Sequence, residues 1–150
     1  MSDADVVVGR PMEILLIEDS RADARLTMEA LKEGRVKHRL TIVRDGEEAM
    51  MFLHQEKWFA RAPRPDLILL DLNLPRKNGR EVLAEIKADA DLRKIPIVVL
   101  TTSSAEEDIL KAYDLNANCY VVKPVGFDNF MEAMQSIRHF WFSVVTLPSE

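Results

Sequence analysis

Four short stretches, LLIEDS, ILLDLNLP, IVVLTTS and CYVVKP, occur in that order and constrain the chain more than any other feature. Each opens with residues of β-strand composition and ends in a polar group able to reach the end of its strand. The run Ile14 to Ile17 is apolar throughout, as in a central parallel strand covered on both faces, and Leu67 to Leu70 form a third strand of the same kind. Parallel strands need crossover connections, and the intervening segments read as helices. Ala22 and Leu26, or Leu26 and Ala30, share a helical face; Val82, Leu83 and Ile86 form another; Ile109 and Leu110 anchor a third.

Asp19 or Ser20 can cap the first helix, and Gly34 closes it. A shorter strand follows around Leu40 to Val43. Asp45–Gly46 then turns into a second helix carrying Ala49, Met50, Leu53 and Phe59, which the proline-containing stretch Ala60 to Pro65 breaks. Pro96 opens the fourth strand, Tyr120 to Val122 form the fifth, and Phe127 to about Val145 reads as a long terminal helix. The expectation is an α/β fold with a doubly wound, five-stranded parallel sheet. Residues 1–12 are an irregular leader, and residues 13–150 a single domain with an extended C-terminal helix and tail.

Right-handed crossovers bring the carboxyl ends of such strands to one crevice. Glu18, Asp19, Asp71, Thr101 and Lys123 then meet at one sheet edge. Three carboxylates, a hydroxyl and an ammonium suit a divalent cation such as Mg²⁺ together with a phosphoryl group.

A formal net charge of -5 gives no general attraction to nucleic acid or an anionic membrane. Cys119 stands alone, so no intrachain disulfide forms, and its apolar neighbours suggest packing rather than reactivity. The N-terminus lacks a basic segment followed by an apolar run. Every apolar string falls well short of the roughly 20 residues that cross a bilayer. A soluble, cytoplasmic protein is expected.

Over about residues 13–142 these motifs resemble the receiver domain of two-component response regulators. The acidic pair Glu18–Asp19, then Asp71, Thr101 and Lys123–Pro124 match the family pattern in order. The interval from Asp19 to Asp71 is a little longer than in the minimal domain, with the extra length around Trp58 to Pro65. The resemblance implies a flavodoxin-like (βα)5 fold with strand order 2-1-3-4-5. It also implies an Asp71 carboxylate that becomes an acyl phosphate. Asp19 and Asp71 would hold Mg²⁺ with the backbone carbonyl of Asn73; Glu18 would help directly, act through a metal-bound water, or merely cap the helix. Thr101 would donate to the phosphoryl group, Lys123 would balance its charge across a cis Lys123–Pro124 bond, and Tyr120 would turn inward as the switch. Thr102, Asn73 and Ser103 sit where they influence access to the acyl phosphate. Such a protein catalyses its own phosphorylation and dephosphorylation without being a turnover enzyme on external substrates.

More narrowly, DLNLPRKNG, LTTS and the FW-containing tail resemble the small stand-alone regulators paired with bacterial phytochromes. That implies a light-sensing histidine kinase as phosphoryl donor. Ser20, Arg76 and Lys77 ring the face such a kinase would approach, though solvation explains them equally well. With no output domain expected, the signal would leave through the protein's own surface. Phe140, Trp141, Phe142 and Val145 offer more apolar surface than one helical face can bury, so they are candidate homodimer contacts; alternatively, half of the tail's apolar residues cover the sheet. Two other readings are a degenerate receiver used as a binding scaffold and a phosphohydrolase on a similar sheet. The intact acidic and basic residues oppose the first, and the short loops oppose the second.

Overall fold

The computed structural model describes residues 11–35, 37–102, 104–112, 115 and 117–135. Ser103, residues 1–10 of the expected leader, and Phe140, Trp141, Phe142 and Val145 lie outside them, as does the terminal helix beyond Gln135. β3 (Leu67–Asp71) and β4 (Ile97–Thr101) are buried at every position. β1 (Met12–Ile17) flanks β3, while β2 (His38–Val43) and β5 (Cys119–Val122) form the edges. All ladders are parallel, in the order β2-β1-β3-β4-β5. This is the doubly wound α/β sheet that the sequence implies.

Alternation along the strands divides the core in two. Leu15, Ile17, Ile68, Leu70 and Val99 face helices α2 (Gly46–Leu53), α3 (Gly79–Ala88) and α4 (Ser104–Ala112). Ile14, Leu16, Leu69, Val98 and Leu100 face α1 (Arg21–Glu33) and α5 (Phe127–Gln135), where Leu31, Phe130 and Met134 are fully buried. Each such aliphatic side chain contributes about 1.5–3 kcal/mol on burial, so both helical layers are held firmly.

The structure corrects several boundaries. Met12 belongs to β1, paired with His38, so the irregular leader stops before it; β2 likewise begins at His38 rather than Leu40. α2 ends at Leu53, and Phe59 lies instead in a 3-10 turn, Lys57–Phe59. Gln55 (φ 56°) and Lys57 (φ 53°) are left-handed, which a right-handed helix cannot continue through, so the break precedes the prolines. Phe59 still reaches the core edge-on against Phe52, with ring centroids 5.2 Å apart. Ser20, not Asp19, caps α1 by accepting from the Asp23 N–H. Gly34 is the C-cap but has φ -75°; the left-handed residue is Arg35, at 57°.

Gly79 fixes the loop that follows Asp71. A Cβ there would lie 2.4 Å from Leu72 Cα and 2.6 Å from the Asp71 carbonyl oxygen, both backbone atoms. Gly79→Ala is therefore expected to cost about 3 kcal/mol of stability in urea unfolding. A loss below about 0.5 kcal/mol, the scatter of neutral surface changes, would mean that the loop yields freely.

Candidate functional site

Register builds the site. Ile17 pairs with Leu70, Asp71 with Leu100, and Thr101 with Val122. Glu18, Asp71, Thr101 and Lys123 each follow or end one of these runs, so they line up along the sheet's carboxyl edge. The Lys123 N–H donates to the Thr101 carbonyl at 2.7 Å, which extends the ladder to the last of them. The Lys123–Pro124 peptide bond is cis.

Lys123 is the electrostatic centre. Its Nζ stands 3.2 Å from Asp71 Oδ2, 3.0 Å from Glu18 Oε1 and 2.9 Å from Asp23 Oδ2. Burial acts to lower the lysine pKa, but Asp23 and Glu18 together with the Asp71 charge outweigh it and raise it above the ordinary value. The Glu18 carboxyl is pushed up to about 7, first by burial and then by a hydrogen bond shared with Asp71, with Lys123 pulling the other way. Glu18 Oε1 is an ion-pair partner of the ammonium yet has no hydrogen bond among the described residues.

The cluster fits a hard divalent cation. Glu18, Asp19 and Asp71 each offer a carboxylate oxygen, and these atoms all lie within 4.8 Å of one another. Oxygen-only donors suit such an ion, and its charge would relieve the crowding that raises the Glu18 pKa. Glu18 and Asp71 are buried, while Asp19 is exposed on the solvent side. Glu18 also accepts from the Ser20 N–H at 3.2 Å, so its carboxylate helps to hold the start of α1. The Asn73 N–H donates to Asp71 Oδ1 at 3.1 Å, whereas the residue itself is exposed. An open cleft of about 650 Å³, lined by Asp19, Asn73, Asn78 and Glu106 among others, lies beside the site.

Thr101 is 1% exposed, and its hydroxyl lacks a hydrogen-bond partner among the described residues. Buried hydroxyls are rarely left unpaired, so an acceptor arriving beside Asp71 would satisfy it. Tyr120 is half-buried against the α2–α4 core, and its hydroxyl oxygen accepts from the Ala117 N–H at 3.3 Å. Cys119 is likewise half-buried, with its Sγ donating to the Ala133 carbonyl. Thr102 is exposed, with its N–H given to Glu106.

Arg76 and Lys77, which flank the site in sequence, are engaged within the chain. Arg76 (φ 64°) pairs with Asp45 and Glu47 at 3.6 Å each, and Lys77 pairs with Glu85. Asp23 is the residue that sequence reasoning missed. Its position three after the Ser20 cap reads as an ordinary helix-dipole acid, and nothing local ties it to Lys123.

The geometry has counterparts in known proteins. The family model for the response regulator receiver domain matches residues 14–135. Response regulator Rcp1 of Synechocystis is 52% identical over 139 residues, covering 93% of this chain and 95% of that protein. A solved structure of the phosphorylated cyanobacterial phytochrome response regulator RcpA is 53% identical, with a TM-score of 0.75, over 93% of this chain and 100% of that one. The Mn²⁺-bound form of Rcp1 superposes with a TM-score of 0.74 at 52% identity and the same coverage. Among the described residues no helix is long and apolar enough to cross a membrane. With the parallel sheet, the acidic cluster beside Asp71 and these matches in place, the chain belongs to the response regulator receiver domain family, and it resembles the members associated with phytochromes.

Proposed function

We propose that this protein is cytoplasmic and accepts a phosphoryl group on Asp71 from the phosphohistidine of a phytochrome-type sensor histidine kinase. One observation carries the reading. The buried Asp71 carboxylate has an ammonium 3.2 Å away, while the adjoining strand ends in a buried hydroxyl that has no hydrogen-bond partner among the described residues. A carboxylate oxygen attacks phosphorus, an O–P bond forms, and the P–N bond breaks with its electron pair passing to the ring nitrogen; because the donor's other ring nitrogen carries a proton, the imidazole leaves neutral. Lys123 and Thr101 then hold phosphoryl oxygens. Mg²⁺, held by Glu18, Asp19 and Asp71 with the Asn73 carbonyl as a further donor, would neutralise part of the phosphoryl charge.

As Thr101 engages the phosphoryl group, Tyr120 gives up its bond with Ala117 and turns inward, a shift between two packings. Residues 12–150 act as one receiver unit, and Phe140, Trp141, Phe142 and Val145 join two copies into a homodimer. With acetyl phosphate and Mg²⁺, intact mass should rise by one phosphoryl group that alkali removes. No gain would return the scaffold reading. In a panel of histidine kinases, the phytochrome-type donor should transfer fastest; a faster kinase of another class would overturn the narrower pairing alone.

A further inference from the structure

Lys123 does not aim its hydrogen bond at the residue it is expected to serve. Of the three carboxylates around Nζ, Asp23 receives a hydrogen bond, at 2.9 Å; Asp71 is the farthest, at 3.2 Å. Asp23 and Lys123 are 100 positions apart, so their bond fastens the first turn of α1 to the loop after β5. The Asp23 backbone is fixed at both ends. Its N–H donates to the Ser20 hydroxyl at 3.2 Å, and its carbonyl accepts from the hydroxyl of fully buried Thr27 at 3.2 Å. The carboxylate is thus presented to the ammonium by an anchored turn rather than by a wandering side chain.

A lysine ammonium has three N–H donors. A phosphoryl group on Asp71 brings further anionic oxygens into competition for them. Asp23 loses in that contest because its side chain is 31% exposed and water can take over its solvation, whereas the Asp71 side chain is 3% exposed. Until that happens, the Asp23 bond opposes acyl-phosphate formation by holding the ammonium toward α1. Its negative charge adds a smaller opposing push.

We propose that Asp23 is a positioning residue that tethers Lys123 in the unphosphorylated protein and restrains phosphorylation until the phosphoryl group draws the ammonium away. The proposal rests on Asp71 being the phosphoacceptor. Asp23→Asn keeps the size of the side chain and removes its charge. At fixed acetyl phosphate and Mg²⁺, it should raise the ratio of phosphorylated to unphosphorylated protein about fivefold, the worth of one partly exposed ion pair. Asp23→Glu, which restores the charge, should stay near wild type. A purely structural role would instead lower thermal stability in Asp23→Asn without raising that ratio, and an unchanged or lowered ratio overturns the tether. The wild-type protein supplies a second measurement that does not depend on how the variants fold. The ¹³C resonance of the Asp23 carboxyl should shift on phosphorylation as it loses the ammonium, and an unmoved resonance also overturns the tether. If the wild type takes up no phosphoryl group at all, the phosphoacceptor reading fails first.

Discussion

Asp71→Asn should yield a folded protein whose phosphoryl uptake from acetyl phosphate is lost by at least about a thousandfold, as expected when a nucleophile is removed. An amide oxygen is a poor nucleophile. The substitution nevertheless preserves shape, because the amide carbonyl can still accept from the Asn73 N–H as Oδ1 does. Lys123 keeps Glu18 and Asp23 as partners, so no buried cation is stranded. Urea unfolding should therefore place the variant within about 1 kcal/mol of wild type. Intact mass after incubation with acetyl phosphate and Mg²⁺ reads the main effect. Wild-type uptake by the variant would move the acceptor to another residue.

Lys123→Met has the second largest expected effect, and it falls on stability. Removing one partner from a buried ion pair costs about 3–5 kcal/mol because the other charge is left behind. Here Glu18 and Asp71, with side chains 0% and 3% exposed, both lose their cation. Glu18 can escape by taking a proton, since its carboxyl already stands at about 7 against an ordinary 4.5. A carboxyl raised in the folded state binds a proton that the unfolded chain has released, so stability falls as pH climbs from near 4.5. Losing the ammonium raises that carboxyl further and carries the fall on to pH values above 7. In EDTA, the gap between wild type and variant should thus be about 3 kcal/mol at pH 7.5 and smaller by up to about 1 kcal/mol at pH 5, the most that one carboxyl raised beyond 7 can contribute over that interval. Adding Mg²⁺ at pH 7.5 should close part of it, because a divalent cation can stand in for the missing charge. A gap equal at both pH values, measured by urea unfolding, would rule out this electrostatic account.

Strand and helix types were legible because the chain writes them locally. Leu67 to Leu70 and Ile14 to Ile17 are continuous apolar runs, and Val82, Leu83 and Ile86 repeat at helical spacing. The end of α2 was not legible. Gln55 and Lys57 carry no outward sign of a left-handed backbone, which the fold imposes on them in order to turn Phe59 back toward Phe52. Phe59 therefore leaves the helix that its spacing suggests while keeping its apolar contact.

That Glu18, Asp19, Asp71, Thr101 and Lys123 share one edge follows from local patterns in the chain. Each closes an apolar strand run, and parallel strands joined by right-handed crossovers end on the same side. How those charges are divided depends on long-range packing. Only the ladder registers and the packing of α1 against the sheet bring Asp23 to within 2.9 Å of Lys123. The same packing buries Glu18 while leaving Asp19 exposed, although the two are adjacent in the chain. The two differ in range. Strand and helix patterns repeat within a few residues, whereas an ion pair depends on distances of a few ångströms between segments 100 positions apart.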